Sequence, residues 1–261
     1  MRTTAIINLK GGVGKTTTAI NLAYQLYLMG GAVLLIDLDK QGNVSKFFNV
    51  HGYDRPSVAD VLLGRDTIGG SARSLYGEKT THGREGGFLD VLPANMSLIE
   101  ADERILIDKT KPQQTRLKKA LDGAEGGYDY CIIDCAPDIN ISVFNALVAA
   151  DDVIIPVTID RFAYDGIKEI RQQIDNARDY FNPGLEIGGC LVTSYRDNDF
   201  NREGVEYLTA VMEGHVYETR IRWSGLVNGS TFECEPLDVY SPRCAAARGY
   251  REFAREYVKG G

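Results

Sequence analysis

The chain reads as an α/β protein with a mostly parallel, twisted sheet and helices on both faces. Three observations predict this. The run Ala32-Val33-Leu34-Leu35-Ile36-Asp37 is continuously apolar up to its aspartate rather than alternating, and further buried strands read at Tyr128 to Asp134 and at Val153-Ile154-Ile155-Pro156-Val157. Such runs are typical of parallel strands buried on both faces. Helical segments separate the strands along nearly the whole length, as crossovers between parallel strands require. The first strand-to-helix join is also distinctive: Ala5-Ile6-Ile7-Asn8-Leu9 breaks into Lys10-Gly11-Gly12-Val13-Gly14-Lys15-Thr16-Thr17, after which Thr16 to Met29 reads as a helix.

The 261 residues carry no Pro/Ser-rich linker or shift in composition, so residues 1–261 are expected to form a single domain. Hydrophobic content of 44% and charged content of 25% are ordinary for a globular protein. No apolar run has the length of a membrane span, and the first strand follows Met1 too closely for a secretory leader. A cytoplasmic location is the expectation. The five cysteines are scattered, and Cys131 and Cys135 flank a buried strand, so they read as reduced core residues rather than a metal cluster. A net charge of −7 argues against a broadly basic surface and leaves room for a local basic patch.

A strand, a glycine loop and a helix in that order make a phosphate-binding loop. Glycines let backbone N–H groups turn inward, and the new helix points unpaired N–H groups and its positive end at the phosphates. Residues Lys10 to Thr17 would form the cradle. Lys15 would reach the β- and γ-phosphates, and the Thr16 hydroxyl would be a magnesium ligand. The position five places before Gly14, usually glycine, is Leu9, and Lys10 is an additional lysine ahead of the glycines. On its own, Lys10 would equally well be a solvated surface charge.

The second strand exits into Asp37-Leu38-Asp39-Lys40-Gln41-Gly42-Asn43, where open α/β sheets bind ligands. There Asp39 would approach the γ-phosphate and orient a water, while Asp37 would support the magnesium shell. In isolation the same residues would also make an ordinary Asp-rich turn. Ser57 to Gly64 reads as a short helix with a serine cap and a glycine stop. Residues 65–87, rich in glycine, read as a surface excursion whose Arg73, Lys79, His82 and Arg84 are more in keeping with a solvated loop than a partner site. Leu89 to Leu92 is the next strand, followed by helices over Met96 to Ile107 and Gln113 to Leu121.

The strand from Tyr128 closes on Asp134, the position of a carboxylate that holds magnesium in a phosphate-loop site. A helix through Asn145 delivers the strand Val153 to Val157. A helix over about Tyr164 to Tyr180 and a strand over Leu185 to Thr193 follow. In the last helix, Arg243 to Val258, Tyr250, Phe253, Ala254 and Tyr257 share the expected core face. Arg248, Arg251 and Arg255 lie on another, where they would track a DNA backbone. With Glu252 and Glu256 beside them, a solvated, ion-paired face fits as well.

The spacing Lys-Gly-Gly-x-Gly-Lys-Thr resembles the deviant Walker A loop of the ParA/MinD superfamily. Residues 37–43, 128–134 and 145–151 resemble the ParA/Soj branch, and the likeness runs almost end to end. It implies a P-loop NTPase fold, ATP/ADP and Mg²⁺ as cofactors, and a nucleotide-dependent homodimer in which Lys10 reaches the partner subunit's nucleotide. It ties Asp39 to hydrolysis, and it implies a ParB-like centromere-binding partner and nonspecific DNA. Thr193, Ile221 and Arg222 would lie near the adenine.

There are departures from the family pattern. Lys40 replaces a proline, Ala136 and Asp138 replace a proline and a serine, and Gly229-Ser230 replaces a Glu-Ala pair. Where the family reads Ile-Pro-Arg-Asn, this chain has Ile221-Arg222-Trp223-Ser224. Arg220 and Arg222 would take over the phosphate contact of the missing arginine. Trp223 is expected in the core, with stacking on adenine or on a partner as the alternative.

The resemblance implies a DNA-partition ATPase. The other readings are a MinD-like membrane-positioning ATPase, which the missing amphipathic tail disfavours, and a scaffold that positions a protein cargo without DNA. A metabolic amide ligase would need a further substrate domain, which the sequence does not display. No helix-turn-helix segment precedes Met1-Arg2, so operator-specific regulation is not expected.

Overall fold

The computed structural model describes residues 1–77, 87–124, 127–160 and 163–260. Its strands are β1 (Arg2–Ile6), β2 (Ala32–Leu38), β3 (Arg73–Tyr76), β4 (Phe88–Leu92), β5 (Tyr130–Cys135), β6 (Asp152–Thr158), β7 (Glu186–Tyr195) and β8 (Val216–Arg222). The helices are α1 (Lys15–Leu28), α2 (Asn43–Phe47), α3 (Val58–Leu63), α4 (Ile68–Ser71), α5 (Ser97–Ile107) and α6 (Arg116–Asp122). They continue with α7 (Ile141–Ala149), α8 (Ala163–Tyr180), α9 (Asp199–Val211), α10 (Leu226–Glu233), α11 (Leu237–Tyr240) and α12 (Ala245–Lys259). Among the described residues the strands form one sheet in the order β3-β4-β2-β5-β1-β6-β7-β8. Every pair is parallel except β3 with β4.

The unbroken apolar runs divide by alternation between two cores. Leu34, Ile36, Cys131, Ile133, Val153 and Ile155 face the layer that includes α3, α5, α6, α7 and α8. Val33, Leu35, Ile132 and Ile154 face α1 and α12. Tyr250, Phe253, Ala254 and Tyr257 fill that second layer as expected. The Tyr257 hydroxyl meets Thr4 Oγ1 at 2.7 Å, so the ring is buried with its polar end satisfied. Four cysteines, Cys131, Cys135, Cys190 and Cys244, are free and buried, and Cys234 is free and exposed. Burial pushes the Cys190 thiol up to about 12.

Part of the segment read as a surface excursion is folded. Thr67 caps α4 by accepting from the Gly70 N–H at 3.1 Å. β3 then adds an antiparallel edge, where Tyr76 meets Tyr24 edge-on at 5.3 Å and stacks on Tyr27 at 5.5 Å. Arg73 donates to the carbonyls of Ser71 and Pro56, which makes it part of the local framework. Glycines concealed this because Gly69 and Gly70 sit inside α4. Lys79, His82 and Arg84 lie outside the described residues. No helix among the described residues is long and apolar enough to cross a membrane.

Asn145, within the segment that matches the family closely, has a structural role. It is fully buried, and its Oδ1 accepts from the N–H groups of Arg116 and Leu117 at 2.8 and 3.2 Å, closing the start of α6. Its Nδ2 donates to the carbonyls of Gln113 and Ile141 at 2.8 and 2.9 Å. Replacing it would strand several buried groups, each a costly loss. Asn145→Ala is expected to lower unfolding free energy by about 2–4 kcal/mol in urea titration, with nucleotide affinity at 25 °C unchanged.

Candidate nucleotide site

The chain crosses the sheet's carboxyl edge at β1, which lies between β5 and β6, and there the phosphate loop turns into α1. Gly12 and Gly14 hold φ of 76° and 88°, left-handed values that let the loop bend its N–H groups inward. Thr193 Oγ1 lies 2.8 Å from the Val13 carbonyl, so β7 braces the loop from behind. Asn8 ties its front: its amide donates to the Pro156 carbonyl at 2.7 Å and its Oδ1 accepts from the Lys10 N–H at 2.9 Å.

Behind the loop stand two carboxylates in register. Asp37 on β2 and Asp134 on β5 are paired across neighbouring parallel strands and are both buried. Asp37 accepts from the Ser45 N–H and hydroxyl at 2.9 and 2.6 Å and from the Asp39 N–H at 3.2 Å. Even so, burial pushes its pKa up to about 6. Asp134 accepts from the Thr16 hydroxyl at 2.7 Å, while its Oδ1 is buried without a hydrogen-bond partner. Burial first, and then the charge of Asp37, holds the Asp134 pKa well above the ordinary carboxylate range. Lys15 is 8% exposed and donates to the Lys10 carbonyl at 3.0 Å; burial lowers its pKa, and Asp134 and Asp39 oppose that shift.

A cleft of about 540 Å³ opens over this floor. It is lined by the loop residues Gly11, Gly12, Gly14, Lys15, Thr16 and Thr17 with Thr193 against them, by Asp39 and Gln41, and by Ile221, Arg222 and Trp223. Asp39 accepts from the Gln41 N–H at 2.9 Å and remains at the cleft wall. Gly42, at φ 63°, completes the turn; a Cβ there would come within 2.9 Å of the Ala94 carbonyl oxygen. Lys40 adds its charge on the side of α5, where it opposes the burial-driven rise of the Asp102 pKa.

Most of the residues expected at the nucleotide therefore converge, whereas the five arginines are dispersed in use. Arg222 faces the cleft. Arg220 instead lies over the Tyr195 ring at 5.0 Å and donates to its hydroxyl at 3.2 Å. Arg251 is ion-paired with Asp238 and also donates to the Pro242 carbonyl at 2.7 Å. Arg248, which donates to the Arg243 carbonyl, and Arg255 are exposed. Glu256 accepts from the backbone N–H groups of Glu218 and Thr219, so it fastens α12 to β8 rather than balancing an arginine.

The expectation that Trp223 packs in the core is wrong. It is 54% exposed, with the Arg196 guanidinium 4.4 Å above its ring. β8 is the sheet's edge strand and ends at Arg222, so Trp223 falls at the rim of the cleft. Asn43, the last residue of the segment after the second strand, lines the cleft as well, whereas sequence reading passed over Asn228, Thr231 and Tyr250. Only Tyr250 carried a signal, as part of the apolar face of the last helix.

Asp134 and Asp37 have folded pKa values above their unfolded ones, so the folded state binds the extra proton. Their charge therefore costs stability as pH rises through the folded values, from about 4 to 6 for Asp37. Asp134→Asn is expected to raise the melting temperature of the nucleotide- and magnesium-free protein at pH 7.5. The gain should shrink toward pH 4, where the parent carboxyl is already protonated. Calorimetry across pH checks it, and an equal gain at both ends would contradict it.

The comparisons with known proteins agree with this geometry. The family profile described as an AAA domain matches residues 1–187. The chain is 36% identical to the chromosome partitioning protein ParA of Caulobacter vibrioides, over 99% of this chain and 94% of that protein. It is 31% identical to the sporulation initiation inhibitor protein Soj of Bacillus subtilis, over 98% of each. Among solved structures, cobyrinic acid a,c-diamide synthase from Mycobacterium smegmatis with bound ADP and magnesium superimposes with a TM-score of 0.82 at 29% identity. That alignment spans 99% of this chain and 94% of the other. With its deviant phosphate loop, its paired strand-end carboxylates and near-complete alignment to ParA and Soj, this chain belongs to the ParA/Soj family of partition ATPases.

Proposed function

We propose that this ATPase moves or positions DNA by ATP-dependent dimerisation, nonspecific DNA binding and release on hydrolysis. The observation that carries the nucleotide part is the convergence of the loop, Thr16, Asp134 and Asp39 on one cleft. The donor set fits magnesium: a threonine hydroxyl beside a carboxylate that has a buried, unpartnered oxygen is the hard-oxygen environment this ion takes. Thr16 would ligate it directly, with Asp134 and Asp37 supporting from behind. When bound, the ion would neutralise charge on the phosphate oxygens.

The chain's own residues supply the rest. Lys15 exchanges the Lys10 carbonyl for phosphate oxygens, and the loop's N–H groups and the start of α1 add fixed positive potential. Asp39 orients the attacking water from the cleft wall. Lys10, ahead of the loop, would reach the phosphates of the partner subunit and so make hydrolysis depend on dimerisation. A ParB-like partner would stimulate slow turnover, and the nucleoid would be the site of action. Arg222, Arg248 and Arg255 are the exposed members of the arginine set for a DNA backbone.

A second reading is a scaffold that positions a protein cargo without DNA. Trp223 at the place of the family's arginine, and the commitment of Arg220 and Arg251 to internal partners, favour it. One experiment separates the two: duplex DNA binding with no nucleotide, ADP or ATP across salt concentrations, for the parent and Asp39→Ala. The DNA reading expects ATP-dependent binding that persists in Asp39→Ala while turnover falls about a hundredfold or more. It also expects Arg222→Ala, which removes one phosphate-neutralising charge per subunit, to flatten the logarithmic salt slope by about one for each such charge. ATP-dependent dimers that ignore DNA would overturn the DNA reading and favour the cargo reading instead.

A further inference from the structure

Lys10 has an anionic partner within its own chain. Its ammonium is ion-paired with Asp160, which lies just beyond the end of β6. The pairing follows from how the front of the loop is built. Asn8 holds the Lys10 backbone N–H and is itself anchored to the Pro156 carbonyl in β6, so Lys10 starts from a fixed point close to that strand's exit. The Lys10 carbonyl meanwhile accepts from Lys15. Both ends of the Lys10 peptide are thus fixed, and its side chain is directed to Asp160 rather than left free.

We propose that Asp160 is an intramolecular competitor for Lys10 that opposes dimerisation. The inference rests on the reading in which Lys10 engages the partner subunit's phosphates. One ammonium cannot serve both acceptors fully, since pairing with Asp160 draws it toward its own β6. Each subunit would give up one ion pair when the dimer closes. The threshold for closure is therefore set partly by a residue that lies outside the nucleotide cleft.

The size of the effect follows from exposure. The two side chains are 35% and 39% exposed, so the pair is screened and contributes about 0.2–1 kcal/mol. Two such pairs break per dimer, which corresponds to roughly a 2- to 30-fold change in the dimer dissociation constant.

The experiment measures dimerisation by sedimentation with a non-hydrolysable ATP analogue and magnesium, on the full chain, at low and high salt. Asp160→Asn is expected to dimerise more tightly by that factor, and the difference from the parent should narrow at high salt. Asp160→Glu, which keeps the charge, should stay near the parent. Monomer affinity for a fluorescent ADP and the melting temperature show that each variant is folded. In a Lys10→Ala background the Asp160→Asn change should be silent, because the coupling runs through Lys10.

Weaker dimerisation in Asp160→Asn would overturn the proposal and make Asp160 a support for Lys10 instead. Tightening that persists in Lys10→Ala would overturn it too, since the effect would not pass through the lysine. A distinct result, Lys10→Ala dimerising and hydrolysing like the parent, would remove the cross-subunit role of Lys10 itself.

Discussion

Two carboxylates side by side at the carboxyl edge of a buried sheet are the constraint on which this structure turns. Parallel pairing of β2 with β5 places Asp37 directly opposite Asp134, and burial on both faces denies either of them water. Burial is what raises both pKa values, and at Asp134 the charge of Asp37 adds to it. The surroundings offset the cost unequally. Asp37 is given three donors from the turn into α2, whereas Asp134 has the Thr16 hydroxyl and an oxygen left without a partner. The site is thus built at some expense to the stability of the bare chain, and a cation on this floor would relieve it.

The centre of the sheet was legible in the sequence because burial on both faces forces unbroken apolar runs. β2, β5 and β6 have that character most clearly, while β1 opens on Arg2, Thr3 and Thr4 and was marked by the glycine loop that follows it; the ends of these strands carry the loop, Asp37 and Asp134. The edges were not legible for the converse reason. β3 and β8 have one neighbour each and mixed exposure, so Arg73-Ser74-Leu75-Tyr76 and Val216 to Arg222 show no continuous run. The short helices α4, α10 and α11 are too brief for a period to register. Asn145 shows a different limit. A motif match marked it, but only the contacts reveal that it closes the start of α6 rather than touching a ligand.

Trp223 belongs with the edge. A lone tryptophan is a good candidate for the core, since its ring gains much by burial. Here the chain leaves an edge strand at Arg222, and the second core is already filled by Tyr250, Phe253 and Tyr257 from α12. The ring stays at the cleft rim with the Arg196 guanidinium over it, which provides an attraction of its own. A substitution there alters the rim while leaving the phosphate floor untouched.

The division of labour follows from this geometry. Groups proposed to act on phosphate sit at the ends of the middle strands, where main-chain pairing fixes them. Groups that would meet a partner, Arg222, Trp223, Arg248 and Arg255, sit on or beside β8, where a side chain can change without disturbing the register. Lys10 stands between the two regimes. Its backbone is tied to the loop through Asn8 and Lys15, yet among the described residues its ammonium is held by a solvent-screened pair with Asp160. A contact of that strength is firm enough to bias where the charge rests and weak enough to be exchanged. For a chain whose net charge is −7, closing two copies face to face would also carry a repulsive cost, so a modest intramolecular competitor would have leverage on the proposed equilibrium.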